Sequence, residues 1–563
     1  MVQDRIAPRD PQEKRSGFYV LLDKPVGGQT SNDGVGRHPI YINGDRLVTF
    51  AKMVGGITDE SVLEMLRTAS GFRKLVHSIG VSITGDLPDK IVHFTLGFSG
   101  ALGSAGSRHG MDVKTDGAEN ILPVSELEWA DTDETPQEFL FELVKPRDIA
   151  TVTVKLYLND GYEVPEVDPD PPVAFDSPAY NAMIARSCLS TGNNVRIKRV
   201  LKDLRDGKPV TIAFLGGSIT QGAGAVPSQP KCYARQTFEA ICERYTPDHG
   251  KNVRYIKAGV GGTPCQLGLI RYDRDITRDG TVQPDLVIVE FAVNDLADET
   301  NGLCHESLIH RILSQPNEPA VIMLFSVFAD DWNLKDRLAP IGFRHEVPMV
   351  DILEAVSPQF RSGVGETSVI TRRQYFYDVF HPSNNGHRIM RDSLMYLLDR
   401  MDHQQPTVAP LKDVPPYYGT DYAAIRLLDR STAPEGTIIS MGSFTGTDED
   451  LQSVPLDFEE HNTPEFPYNW QKAEGDEPFV MELDCSALQL VFKDSGSPAF
   501  GKATVTVDGK EVGTYDPRQA GWTHCHATIL FKEDTVRKHR IEIRMVPEDA
   551  DKTFTILGFG YNA

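Results

Sequence analysis

Between residues 176 and 410, five short apolar runs alternate with helix-patterned segments, and this rhythm constrains the fold more than any other feature. The runs are TIAFLGG (211–217), RYIKAGV (254–260), DLVIVEFAV (285–293), AVIMLFSV (320–327) and PMVDI (348–352). Helical spacing marks NVRIKRVLKDLRDGK, YARQTFEAICERY, HESLIHRILSQ and, after the last run, GHRIMRDSLMYLLDRM. Buried strands alternating with helices imply βαβ units and a parallel sheet covered on both faces. The expected class is α/β with a doubly wound parallel sheet. Such a sheet binds ligands at the carboxyl ends of its strands.

The flanks read differently. The chain has 563 residues, too many for one core, so two to four domains are expected. HPIYING, RLVTFAKM, KLVHSIGVSITGD, KIVHFTLGFSG, FLFELVKP and TVTVKLYLND mix β-branched, aromatic and polar residues between turn residues, which predicts strands. TDESVLEMLRTA is the helix-like exception, with Thr58 at its N-cap. EVPEVDPDPPVAFDSP reads as a linker. Beyond residue 411, FVMELDCSALQLVFK, GKATVTVDGKEVGTY, HATILF, HRIEIRMV and FTILGFGY predict a small β-sandwich, with VDGKE as a hairpin turn. The expected organisation is a β-rich accessory domain over 1–175, an α/β domain over 176–410, and a C-terminal β-sandwich accessory domain over 411–563.

Charge and cysteine content narrow the partners. A formal net charge of −23 argues against nucleic acid and anionic membrane, which need clustered Lys and Arg. Small neutral or cationic ligands, or neutral polymers, fit better. The N-terminal stretch has no apolar signal-peptide core, and no segment approaches the roughly 20 apolar residues of a membrane span. The seven cysteines are scattered and never spaced C-x-x-C, as expected of reduced thiols in a cytoplasmic protein. No cluster has metal-ligand spacing, and no cofactor or metal is expected.

The polar residues at the strand ends carry the chemistry. Gly216 and Gly217 allow a sharp exit from the first run and place Ser218 at the break. Alone, this is equally well an ordinary turn with Ser as a cap. It matches neither phosphate-binding glycine pattern. In AGVGGT, Gly261 and Gly262 would let a backbone N–H point at a ligand, with a plain loop as the alternative. Asn294 and Asp295 end the third run; Asn294 offers N–H donors, and a helix cap is the plain alternative. Glu290 lies within that run and reads as structural, with Arg271 or Arg274 as its expected partner. In YDVFHPSNNGH, Asp378 and His381 stand three apart, which suits a carboxylate against an imidazole; His387 reads as a helix-start residue. Acyl transfer needs a nucleophile, a base, a carboxylate to orient the base, and oxyanion donors. Ser218, His381 and Asp378 supply the first three. The backbone N–H groups of Ser218 and Gly262, with the Asn294 side chain, supply the last.

GGSIT, AGVGGT, VND and D-x-x-H together resemble the four sequence blocks of the SGNH (GDSL-type) hydrolase superfamily, over about 200–400. The resemblance implies a flavodoxin-like SGNH core. It implies Ser218 as nucleophile, Asp378 and His381 as its partners, and Gly262 (or the adjacent Gly261) with Asn294 in the oxyanion hole. Gly217 stands where the name-giving pattern has Asp, and Lys257 precedes the second block where Asn is usual. The G-G-S-I-T form is similar to carbohydrate-esterase branches.

The expected activity is therefore serine ester hydrolysis through an acyl-enzyme. The expected partner is an acetylated oligosaccharide, such as acetylated xylo-oligosaccharides, or another small ester. The β-rich flanks are similar to accessory domains of carbohydrate esterases and offer surfaces for glycan or for homo-oligomer contacts. Trp332 and Phe380 are candidate sugar-stacking residues, with Trp470 and Trp522 as further aromatics; core packing is the plain alternative for each. Two other functions stay open: a lipid or thioester acylhydrolase using the same triad, and a non-catalytic glycan-binding protein on the same scaffold. Acyl transfer to a sugar would use the same residues as hydrolysis.

Overall fold

The computed structural model describes residues 15–30, 35–87, 90–100, 104–145, 147–361, 368–407 and 414–563. The boundary expected at 410/411 falls outside the described residues. The chain divides into two compact units, one formed by Met1–Phe175, Gly224–Lys231 and Gln359–His387, the other by Asp176–Ala223, Cys232–Pro358 and Arg388–Ala563. No helix of the described residues is long and apolar enough to cross a membrane.

Among its described residues, the first unit holds two antiparallel sheets. One has four strands, in the order Gly17–Gly27, Ile149–Leu158, Val76–Thr84, Asn120–Pro123. The other has five, ordered Gln29–Thr30, Gly36–Tyr41, Thr135–Leu143, Ile91–Ser99, Ala105–Lys114. Strand alternation builds the core. Phe139 and Phe141 point inward and meet Leu96 and Phe94 across the pair, all buried. One stretch departs from expectation: RLVTFAKM is a helix, Arg46–Met53, not a strand. Its β-branched and aromatic content suggests a strand, but the buried residues are Leu47, Val48, Phe50 and Ala51. That spacing covers one face of a helix, whereas a strand would bury alternate positions. The next helix, Glu60–Met65, is capped by Asp59 rather than Thr58; the Asp59 carboxylate accepts the Ser61 N–H.

The second unit contains the doubly wound sheet. Its parallel strands are β1 (Val210–Gly216), β2 (Val253–Gly259), β3 (Leu286–Glu290), β4 (Ala320–Phe325) and β5 (Met349–Asp351). They lie in the order β2-β1-β3-β4-β5, with Cys188–Ser190 added antiparallel beside β5. This is the flavodoxin-like order, whose switch point lies at β1. The segments expected to be helical form Val195–Arg205, Tyr233–Tyr245, Leu303–Leu313 and Asn384–His403. An antiparallel sheet follows, led by β6 (Phe479–Asp494) and β7 (His524–Met545). The two sheets share one apolar core: Leu215, Ile256, Val289 and Phe291 cluster with Ala487, Val491, Cys525 and Leu557.

A buried charge pins the strand ends. Arg271 is fully buried and donates to Gly216 O and Ala258 O, 3.0 Å each, and to Asp275 at 2.7 Å. Burial alone would raise the Asp275 carboxyl, but Arg274 and Arg271 outweigh it and hold it low. Arg274 also pairs with Glu465. Glu290 therefore does not pair with Arg271 or Arg274, because both guanidiniums are committed elsewhere. It accepts from the hydroxyls of Ser326 and Thr220, the latter also bonded to Tyr233. With no cation in contact among the described residues, burial pushes the Glu290 carboxyl up to about 8, and the hydroxyl bonds offset this only in part.

Two outcomes are expected. Arg271→Met should destabilise by about 3–5 kcal/mol in urea unfolding, since it leaves buried carbonyls and Asp275 short of a partner; a change below about 1 kcal/mol would contradict the clamp. Glu290 keeps its proton in the folded state up to about 8, while the unfolded chain releases it near the ordinary 4.5. Stability should therefore fall as pH rises between these values. Glu290→Gln removes this dependence, so its Tm should gain on wild type by about 2–4 °C or more between pH 5 and 8. A gap that does not change with pH would contradict a neutral Glu290.

Candidate active site

At the end of β1 the chain turns at Gly217 and enters a short helix, Ser218–Gln221, that begins with the half-buried Ser218. A Cβ on Gly217 would stand 2.2 Å from Asn294 Oδ1, so glycine is what lets the Asn294 amide lie against the serine turn. The far end of the short helix is closed by Lys257, whose buried amine donates to Gln221 O at 3.0 Å. Lys257 thus has a structural task where the second block usually has Asn.

The loop after β2 forms the other wall. A Cβ on Gly261 would lie 3.6 Å from Ser218 Cβ, whereas one on Gly262, at φ +72°, would face His524 and Trp522 at 3.0 Å. Both carbonyls are drawn away by the C-terminal segment: Gln452 Nε2 donates to Gly261 O at 2.8 Å and His524 Nε2 to Gly262 O at 3.1 Å. Among the described residues, the N–H groups of Gly261 and Gly262 and the Asn294 amide N–H have no protein acceptor. Donors with no protein partner on the glycine loop and on Asn294, which lies against the serine turn, are suited to a developing oxyanion. Asp295 ties the two donor loops together, accepting the Cys265 N–H and His305 Nδ1–H at 2.7 Å each.

Asp378 and His381 lie in the first unit, where the expected pairing is present. His381 Nδ1 donates to Asp378 at 2.8 Å, and the Phe380 and His381 N–H groups donate to Asp378 Oδ1, also at 2.8 Å. Burial alone would raise the Asp378 carboxyl, but His381 and these N–H donors hold it below its ordinary value, so it stays ionised at neutral pH. Gly224, at φ +83°, permits close packing here: a Cβ there would meet Pro382 O at 2.2 Å and His381 Cβ at 3.0 Å. The N-terminal sheets brace the loop. Lys24 donates to the carbonyls of Arg373 and Phe376, and the Tyr377 hydroxyl donates to Pro25 O and contacts His38 Nε2 at 2.7 Å. Burial brings Lys24 down to about 8, against the opposing pull of Asp378.

The aromatic candidates separate. Trp332 stacks on Phe328, and Phe380 lies under the Arg46 guanidinium. Trp470 is buried core. Trp522 is 46% exposed, beside Gly262 and against the His524 ring. Gln452 and His524 escape a sequence reading because they are far from the glycine loop along the chain, and Trp522 stands out there as an aromatic without any sign that it borders that loop. Two groups of metal-capable side chains also assemble, Cys265–Asp295–His305 and Asp494–His524–His526. Chain spacing hides both; only the alternation His524-x-His526 on a strand signals the second.

Residues 214–389 match the family model of the GDSL-like lipase/acylhydrolase family. A solved structure described as a two-domain esterase (CEX) active on acetylated mannans is 22% identical with a TM-score of 0.57, covering 68% of this chain and 99% of its own. The structure of a two-domain esterase of the same description, co-crystallised with mannopentaose, is 23% identical with a TM-score of 0.55, again over 68% and 99%. At these identities the likeness speaks for the fold. No curated protein matches the chain. The resemblance carried by the four sequence blocks therefore holds: over residues 214–389 this chain matches the GDSL-like lipase/acylhydrolase family, on a parallel-sheet core accompanied by antiparallel sheets.

Proposed function

We propose that this protein is a serine esterase that removes small acyl groups, acetyl above all, from plant-type oligosaccharides such as acetylated xylo- or manno-oligosaccharides. The observation that carries the reading is the Ser218 turn, flanked by Asn294 and the Gly261–Gly262 loop with N–H donors that have no protein acceptor. The Asp378–His381 pair supplies the complementary chemistry of an oriented base. His381 Nε2 removes the Ser218 proton, Ser218 Oγ attacks the ester carbonyl, and the oxyanion is held by Asn294 with the backbone N–H groups of Ser218 and of Gly261 or Gly262. The alcohol leaves with the proton from His381. Water, deprotonated by His381, then releases the acid. Asp378 keeps the imidazole in the tautomer that leaves Nε2 as the acceptor.

Support for a carbohydrate substrate comes from Trp522. An exposed indole beside the donor loop is suited to stack on a sugar ring. The two neighbours described as acting on acetylated mannans, or crystallised with mannopentaose, point the same way.

The test compares p-nitrophenyl acetate, p-nitrophenyl octanoate and acetylated xylo- and manno-oligosaccharides. Acetate release from the small ester and from a glycan should vanish in Ser218→Ala. Asn294→Ala should lower kcat by roughly 10²–10³-fold, and Asp378→Asn by roughly 10⁴-fold. Trp522→Ala should raise KM for the oligosaccharide by about tenfold and leave p-nitrophenyl acetate turnover unchanged. Preference for octanoate would move the activity to lipid or thioester chemistry. Equal rates for wild type and Ser218→Ala would leave a glycan-binding protein.

A further inference from the structure

Behind the glycine loop, β6 and β7 bring three ligand-type side chains to one face. Asp494 ends β6 and stands in register opposite His524, the first residue of β7. His526 follows two residues on, opposite Phe492. Residues two apart on a strand share a face, and a directly opposed cross-strand residue joins them there. Cys525, between the two histidines, points the other way, into the apolar core shared with the parallel sheet. One ligand atom from each of Asp494, His524 and His526 lies within 4.8 Å of those of the other two.

The hydrogen bonding of this group is incomplete in a specific way. His524 is committed at one nitrogen, because Nε2 donates to Gly262 O at 3.1 Å. With the proton on Nε2, Nδ1 carries a lone pair. That atom is buried and, among the described residues, has no hydrogen-bond partner. Asp494 Oδ1 is in the same condition, while its Oδ2 accepts the Ala520 N–H. Both side chains are at least nine-tenths buried, with 9% and 2% exposure. Two buried lone pairs in one such group, neither with a donor among the described residues, call for a cation. An imidazole that ligates through one nitrogen and donates its other N–H to a backbone carbonyl is the usual outer-shell arrangement of a metal-bound histidine.

We propose that Asp494, His524 and His526 form a binding site for a divalent transition-metal ion of the Zn²⁺ class, with water as a fourth ligand. Two borderline imidazoles beside one carboxylate suit Zn²⁺ better than the hard oxygen-seeking cations. Metal–ligand distances of about 2.0–2.2 Å place tetrahedral ligand atoms about 3.4 Å apart, so the group, whose ligand atoms lie within 4.8 Å of one another, would close in around the ion. The bound ion would hold His524 in the orientation that keeps its N–H on Gly262 O, and so would steady the loop beside Ser218. The site does not depend on the esterase reading, and its readout is metal content.

The experiment uses the full chain, free of any affinity tag, stripped with chelator and dialysed against Zn²⁺. Inductively coupled plasma mass spectrometry should find one Zn²⁺ per chain. His526→Gln and Asp494→Asn should each weaken binding by roughly 100-fold or more. Thermal unfolding should rise on adding Zn²⁺ to wild type and not to either variant, and far-UV circular dichroism of the stripped proteins should coincide. Co²⁺ in place of Zn²⁺ should give the intense visible bands of a four-coordinate site, absent from both variants. Stripped protein that binds no Zn²⁺ would overturn the proposal. So would Zn²⁺ retained undiminished in the two folded variants, which would place it at Cys265–Asp295–His305 or on other thiols.

Discussion

The geometry around Ser218 depends on the buried guanidinium of Arg271. Two of its bonds go to Gly216 O and Ala258 O, the carbonyls just before the serine turn and just before the glycine loop. Parallel strands alone leave their carboxyl ends free to splay. A fixed cation between two strand ends removes that freedom, and the carboxylates of Asp275 and Glu465 compensate the charges of Arg271 and Arg274 where water cannot. Asp295 then repeats the device one layer out, tying the glycine loop to the turn that carries Asn294. Donors aimed at an oxyanion act only if they do not have to reorganise during the reaction. The buried polar network is what holds them still.

The antiparallel sheets are part of this machinery. In the second unit, Gln452 and His524 hold the carbonyls of Gly261 and Gly262, and Trp522 borders the same loop. In the first unit, Lys24, His38 and Pro25 hold the loop of Tyr377, Asp378 and His381. Each β-rich region therefore supports one half of the proposed chemistry. The stretch GGSITQGAGA links the halves along the chain, with Ser218 near one end and Gly224, packed on His381, six residues later.

Much of this was legible in the sequence because it depends on local pattern. The five apolar runs became the five parallel strands, and Asp378 and His381 met because three residues of loop suffice to bring them together. RLVTFAKM misled because residue type and spacing disagreed, and spacing, which decides what is buried, prevailed. The partner of Glu290 was misjudged for a different reason. Charge complementarity suggested Arg271 or Arg274, but those cations were already bound, and hydroxyls with a retained proton satisfied the carboxyl instead. Contacts such as Gln452 to Gly261, or His524 to Gly262, join residues far apart in the chain. No periodicity encodes them; they follow from how two sheets share one core.

The central claim is that Ser218 is an activated nucleophile, and covalent capture tests it most directly. The full-length protein would be incubated with a fluorophosphonate, followed by intact-mass measurement and peptide mapping. The account predicts a single adduct, on Ser218, forming far more slowly in His381→Ala than in wild type. No adduct, an adduct on another residue, or equal labelling rates with and without His381 would contradict it.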